Sequence, residues 1–277
     1  MFNLILILGV MSCQSSPVDP SRDVQSTGVE VSQDCVWVDV NLEGFDTTEE
    51  LRADRKVFPS ENLHLEHVYL DKNVAYAAGG LTRSMRYDWT DQGTQSVSIG
   101  RGIRLSEPVE ELWVEVVIRW SRNFTTCHPD ELPCDHKTIF LQVTPDGNGR
   151  WEAKFGGCGS SGPTAPIEVA SPKGRDFNTD HVSLRRCLAD AFQYFDEEWH
   201  VVRIHAKHST DVSRPTGELD FWVDGQLLGS YRNEFSTNNG TRIHGILLGR
   251  NKDKGIDTGT ESMWIGRVRA WRSDPNW

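Results

Sequence analysis

Residues 198–230 decide the fold and read EWHVVRIHAKHSTDVSRPTGELDFWVDGQLLGS. From Trp199 to Lys207 mostly apolar residues alternate with polar or aromatic ones, and a period of two predicts a half-buried β-strand. The same alternation returns over Glu218–Val223 after a polar loop. Asp224 and Gly225 then provide the residues that a tight hairpin turn prefers. The stretch therefore predicts β-strands with one apolar face and one polar face.

Further alternating segments run along the chain, at 35–40, 79–89, 97–105, 111–120, 137–143, 150–155, 241–249 and 263–271. Turn clusters of Gly, Pro, Asn and Asp separate them. This pattern predicts an all-β sandwich or jelly roll, because there is little helix to cover a parallel sheet. We expect the last strand to lie beside the first. Strand signals largely stop between 156 and 198, a long insertion whose second half, 183–195, has helical spacing.

The composition is that of a globular protein. The chain has 277 residues, of which 37% are hydrophobic and 25% charged, which fits one large all-β domain or two small ones. A net charge of -11 argues against a general nucleic-acid binder, which needs clustered positive charge. The ten Trp residues suit sugar rings as well as cores. We expect a monomer with one β domain over residues 34–277.

The N-terminus predicts export. Residues 1–12, MFNLILILGVMS, are too short to span a bilayer as a helix but fit the apolar region of a signal peptide. Val10 to Cys13 resembles a bacterial lipoprotein box with Cys13 as the lipidated residue, although no Lys or Arg precedes the apolar run. Residues 13–33 then form a lipid-anchored flexible tether. We expect a cell-envelope lipoprotein; ordinary secretion and a cytosolic chain are the alternatives.

Five further cysteines suggest disulfides in an exported protein. Cys127 is predicted to pair with Cys134, and Cys158 with Cys187 across the insertion, which leaves Cys35 free. Other pairings stay open, because sequence does not determine connectivity.

Two metal sites are conceivable, and neither has a known spacing. A zinc site would use Cys127, His128, Cys134 and His136. A calcium site would use Asp253, Asp257 and Glu261. We therefore predict no metal and no cofactor, with calcium as the open alternative.

The order of segments from about residue 75 to 272 resembles the concanavalin A-like lectin/glucanase superfamily, especially its polysaccharide-lyase-like branch. The segments that carry the resemblance are ELWVEVVIRWSRNF, HKTIFLQV, EEWHVVRIHAKHST, GELDFWVDGQLL, ILLGRN and MWIGRVRAW. The resemblance implies two stacked antiparallel sheets, one of them concave, with a sugar site on the concave face.

Glucanases of this superfamily carry a Glu-x-Asp-x-Glu strand whose carboxylates share one face. Glu218 and Asp220 begin that pattern, but Trp222 stands where the acid is required and has no suitable proton. A glycoside hydrolase is therefore not predicted. Glu218 and Asp220 are instead sugar contacts or ion-pair partners of a neighbouring basic strand.

A lyase would need a base, an acid and a group that neutralises the uronate carboxylate. We assign these roles to His205, Arg203 and Lys207, with neighbouring positive charge keeping His205 neutral. The predicted substrate contacts are Arg119, Gln142, Lys154, Glu218, Asp220 and Trp222. Alginate lyases of this fold carry Gln-x-His and Tyr-x-Lys motifs. Here Thr144 occupies the position of that His, and Glu152 occupies the position of that Tyr.

Three functions follow. The first is an exported sandwich that binds a polysaccharide, including an acidic one, on its concave face. The second is a lyase that cleaves a uronic-acid polymer by β-elimination. The third is a structural or adhesion lipoprotein with a flat, salt-bridged face. Convergence in one groove would favour the first two, and the residues concerned are Arg119, Lys154, Arg203, His205 and Glu218.

Overall fold

The chain folds into two antiparallel β-sheets around one hydrophobic core. The computed structural model describes residues 36–55, 58, 60–90, 97–124, 136–143, 150–155, 167–173, 185–187, 194–209, 216–233, 242–249, 251–252 and 259–277. Within these ranges no helix has the length and apolar character needed to cross a membrane.

The first sheet has eight strands and contains the hairpin of the deciding stretch. In spatial order they are β14 (Gln226–Arg232), β13 (Glu218–Val223), β12 (Trp199–Lys207), β7 (Glu111–Trp120), β17 (Glu261–Trp271), β4 (Ser84–Trp89) and β3 (Val68–Asp71), and β1 (Val38–Asn41) pairs with β17. Strands β12 and β13 are antiparallel, with Ile204 opposite Phe221. The prediction that the last strand lies beside the first is confirmed by the pairing of β1 with β17.

The second sheet has nine strands. In spatial order they are β11 (Arg185–Cys187), β10 (Ile167–Lys173), β9 (Arg150–Phe155), β8 (His136–Gln142), β15 (Ile243–Leu248), β6 (Gly100–Val109) and β2 (Ser60–Leu63), while β16 (Asn251–Lys252) pairs with β8 and with β5 (Val97–Ser98). The predicted helical spacing over 183–195 is wrong at 185–187, which form a strand. Strand β10 also lies inside the predicted insertion. Backbone pairing along β9, β10 and β11 explains both differences, because ladder hydrogen bonds override a weak local period.

The core is made of alternate residues from the two sheets, as the period of two predicts. In β7 the inward residues Val114, Val116 and Ile118 are all fully buried. Phe221 in β13 and Ile246 in β15 are also fully buried in the same cluster. Residues of the opposite parity therefore form the outward faces of the sandwich.

The helical content is small. Among the described residues it consists of α1 (Thr48–Ala53) and two 3-10 turns (Leu65–His67 and Ala77–Gly79). A capping box between Thr47 and Glu50 begins α1. At its other end the fully buried Arg101 of β6 donates to the carbonyl oxygens of Arg52 and Asp54, a favourable place for a cation. This contact ties the helix to the second sheet.

Candidate functional site

His205, the predicted base, is buried in the outward face of the first sheet, with only 3% of its surface exposed. Its Nδ1 lies 2.9 Å from Oδ2 of Asp220, and its Nε2 lies 2.8 Å from Oε1 of Glu111. The indole of Trp113 stacks on the imidazole with ring centroids 3.9 Å apart. The expected setting of positive charge is wrong, because carboxylates from β7 and β13 face both ring nitrogens. The imidazole therefore presents neither nitrogen to a substrate.

The predicted acidic contacts are also engaged within the sheet. Asp220 accepts hydrogen bonds from both terminal nitrogens of Arg232, at 2.7 and 2.6 Å. Burial pushes the pKa of Asp220 up, but the hydrogen bonds from His205 and Arg232 outweigh it and lower that pKa to about 2. Glu218 pairs with Lys207 at 3.5 Å and with Arg232 at 3.1 Å. These groups form a closed ion-pair network rather than an open catalytic set.

A second network lies beside it on the same face. Glu115, with a side chain only 4% exposed, accepts from Nε of Arg203 at 2.9 Å and from Nε of Arg269 at 2.9 Å. The predicted contact Arg119 lies further along β7, with its guanidinium over the ring of Trp264 at 5.5 Å. Arg203 thus contacts a carboxylate of its own sheet, and Arg119 contacts an indole of that sheet.

Trp222 of β13 is half-buried and belongs to a group of indoles on this outward face. It lies 6.2 Å from Trp113 and 6.0 Å from Trp277, between ring centroids. Trp277 packs edge-on to Trp113 at 5.6 Å and lies under the guanidinium of Arg203 at 4.9 Å. We call the half-buried rings of Trp113, Trp222 and Trp277 the aromatic face.

Gln142 and Lys154 lie on the other sheet, in β8 and at a β9 position paired with β8. The prediction of one groove that unites Lys154 with Arg203 and His205 is wrong, because their strands belong to two different sheets. Alternation indicates the face of a strand that a residue occupies, but it does not indicate the sheet to which the strand belongs.

Gln142 belongs to a row of three residues across the second sheet. Gly245 of β15 pairs with Gln142 of β8 on one side and with Arg104 of β6 on the other. A Cβ at Gly245 would lie 2.8 Å from Oε1 of Gln142, so the amide lies over the glycine. Arg104 is exposed, whereas Gln142 is only 6% exposed. We call these residues the Gly245 row.

The polar groups of the Gly245 row are not engaged with the described protein. Within the described ranges, neither the Arg104 guanidinium nor the Gln142 amide has a hydrogen-bond or ion-pair partner. The Gln142 amide has no buried unpaired atom, so its oxygen and nitrogen remain open to solvent and to a ligand. A ligand on this face would supply the missing partners.

His244 immediately precedes Gly245 and was not among the predicted site residues. Burial lowers its pKa, and the nearby charge of Arg104 lowers it further. Its imidazole is therefore neutral near pH 7 and can accept a proton. The signal that could have found it is the pair His244-Gly245 inside a strand pattern, because an isolated strand glycine often marks a close approach.

Comparison with known proteins gives the fold. No family model and no curated protein matches the chain. An endo-β-1,4-glucuronan lyase from the fungus Trichoderma reesei superimposes with a TM-score of 0.53 at 15% identity, over 76% of this chain and 90% of that one. The alginate lyase Aly36B superimposes with a TM-score of 0.56 at 9% identity, over 84% and 96%. The fold is concanavalin A-like. A structure reported with gut-microbiota O-glycanases agrees, at a TM-score of 0.50 and 13% identity over 86% and 100%.

Several predicted residues lie outside the described part of this concanavalin A-like sandwich. They are the lipidation residue Cys13, the cysteines Cys35, Cys127, Cys134 and Cys158, and the calcium candidates Asp253 and Asp257. Cys187 is placed in β11 by its backbone. Glu261, the third calcium candidate, begins β17 and is 1% exposed. Among the described residues, no group of three or more His, Cys, Asp and Glu could hold a metal.

Proposed function

We propose that the protein binds an acidic polysaccharide on the outward face of the second sheet, at the Gly245 row. The observation that carries this proposal is the contrast between the two sheets. The cations of the first sheet beside the predicted base are held by carboxylates, whereas Arg104 and Gln142 have no partner in the described protein. A guanidinium and an amide on either side of a glycine can bind a carboxylate and a hydroxyl of one sugar residue.

The structural neighbours support the choice of an acidic glycan. Two of them are named as lyases of glucuronan and alginate, which are polymers of uronic acids, and a variant of the alginate lyase was crystallised with an alginate trisaccharide. At 9–15% identity this likeness shows the fold and not the ligand. The charge of Arg104 is what selects an anion at this site.

Arg104→Ala is expected to weaken binding to alginate or glucuronan roughly tenfold or more, because a charge-assisted hydrogen bond is lost. Isothermal titration at moderate salt would measure the affinity. The control is Arg122→Ala, which removes an exposed arginine paired with Glu197 and should leave the affinity unchanged. Equal affinities of wild type and Arg104→Ala for every uronate polymer would refute this site.

The position of His244 favours a second candidate, β-elimination from a uronic-acid polymer. A neutral imidazole within electrostatic reach of Arg104 combines a proton acceptor with a cation that can neutralise the uronate carboxylate. A lyase would produce an unsaturated product that absorbs at about 235 nm, and His244→Gln should abolish this absorbance while retaining most of the binding. If wild type binds alginate and glucuronan but releases no absorbing product, it is a binding protein and not a lyase.

Export is part of the proposal, because polysaccharides of this kind lie outside the cell. Residues 1–12 as a signal peptide and Cys13 as the lipidated residue would hold the sandwich at the cell envelope through the tether of residues 13–33.

A further inference from the structure

The aromatic face differs from the other half-buried indoles of the first sheet in how its rings are held. Trp199 donates its indole N–H to the carbonyl of Ala75, and Trp264 donates to Asp71. Within the described ranges, by contrast, the indole N–H groups of Trp113 and Trp222 donate to no protein group, and they are not buried. These two rings therefore keep a donor available at the surface.

The charges around the aromatic face cancel one another. The carboxylates are Glu111, Glu115, Glu218 and Asp220, and the cations that pair with them are Arg203, Lys207, Arg232 and Arg269. Four negative groups thus meet four positive groups before His205 is counted. Charges that are paired within the protein in this way give little electrostatic preference for an anionic over a cationic ligand.

The same ion pairs hold the polar groups in place. Arg203 is bound to Glu115 and lies over the ring of Trp277, so its remaining N–H groups point in fixed directions beside the indoles. The imidazole of His205 stacks on the indole of Trp113 and restricts its movement. Flat aromatic surface beside pre-oriented donors and acceptors matches the faces and hydroxyl groups of a pyranose ring. Little side-chain freedom is left to lose on binding.

We propose that the aromatic face is a second glycan-binding site, which takes neutral pyranose residues. It lies on the opposite side of the sandwich from the Gly245 row, because the core separates the two outward faces. The two sites therefore bind different glycans independently. A protein built in this way can bridge a neutral and an acidic polysaccharide.

The test compares two variants of the full chain, each of which should lose one kind of binding and keep the other. Affinities are measured for hydroxyethylcellulose, xylan and galactomannan as neutral probes, and for alginate and glucuronan as acidic ones. Trp222→Ala should weaken the neutral interaction roughly tenfold or more, as expected for an aromatic anchor, and leave acidic binding unchanged. Arg104→Ala should have the reverse effect. Retained uronate binding also shows that Trp222→Ala is folded.

Wild-type protein provides a second test that depends on no variant. Titration with the neutral probe should change tryptophan fluorescence, and saturation with alginate should not alter the neutral affinity. Failure of all three neutral probes to bind, or unchanged neutral binding in Trp222→Ala, would overturn the second site. The proposal of acidic binding at the Gly245 row would be unaffected. Failure of acidic binding alone would instead overturn the proposed function.

Discussion

Glu115→Gln is expected to lower the free energy of unfolding by about 3 kcal/mol, because it leaves two guanidiniums in the first sheet without their shared carboxylate. Glu115 is 4% exposed, whereas Arg203 and Arg269 are 24% and 30% exposed. Partial access to water lets the two cations rehydrate, so the loss should fall at the low end of the range for a broken buried pair. Urea denaturation at neutral pH measures it.

The matched control is Asp39→Asn, which breaks the pair between Asp39 and Arg267 on the same face. Asp39 is 34% exposed, and pairs of that kind contribute about 1 kcal/mol or less. Replacing Glu115, Arg203 and Arg269 together by Met should recover much of the loss, since no charge is then left unpaired. Equal losses for Glu115→Gln and Asp39→Asn would show that burial of Glu115 does not set the size of its contribution.

Most of the fold could be predicted from the period of two. Strand β7 has the bounds expected from its alternation, and the inward residues of β13 are those expected from the hairpin. The period of two did not predict β2, β3 or β14, nor the region after β9, where β10 and β11 add to the edge of the second sheet. The residues of β10 and β11 show little alternation and so predict an insertion, whereas pairing with neighbouring strands supplies the missing stabilisation.

The site was predicted less well, and the reason is geometric. Alternation placed Arg203, His205 and Asp220 on a common outward face, and they do lie together. It could not show that Glu111 and Glu115 of β7 would face this strand, because strand order depends on long-range pairing. It also could not assign Gln142 to the other sheet. Which carboxylates pair with a basic residue, and which sheet a strand joins, both depend on the tertiary structure.

Two buried histidines give the protein opposite pH responses. Burial lowers the pKa of His200, but its hydrogen bonds to Asp224 and Asp196 outweigh this and raise it above 6.5. Burial lowers the pKa of His208 to about 3, and the nearby His244 adds to this. His200 therefore adds stability that is present below pH 6.5 and is lost as the pH rises through its folded pKa. His208 does the reverse: its contribution is full above pH 6.5 and is lost as the pH falls towards 3.

His208→Gln is expected to make stability less sensitive to acid. Unfolded chains bind a proton at this position below pH 6.5 while the folded protein does not, so lowering the pH from 8 to 5 should cost wild type about 2 kcal/mol through this group. The full cost at pH 3 would be about 5 kcal/mol. Urea denaturation at pH 8 and pH 5 measures the difference between the two pH values, in which the contribution of His200 is common to wild type and variant.

Asp220, with a pKa of about 2, stays ionised between pH 8 and pH 5. Any contribution of the other carboxylates is common to wild type and variant. The control is His64→Asn, since the side chain of His64 is 55% exposed and its replacement should leave the pH difference as in wild type. His208→Gln has a lower stability at pH 8 if the imidazole packs better than an amide, but the argument rests on the difference between pH values. An unchanged difference in His208→Gln would mean that folded His208 takes up its proton as readily as the unfolded chain, and that burial does not control its titration.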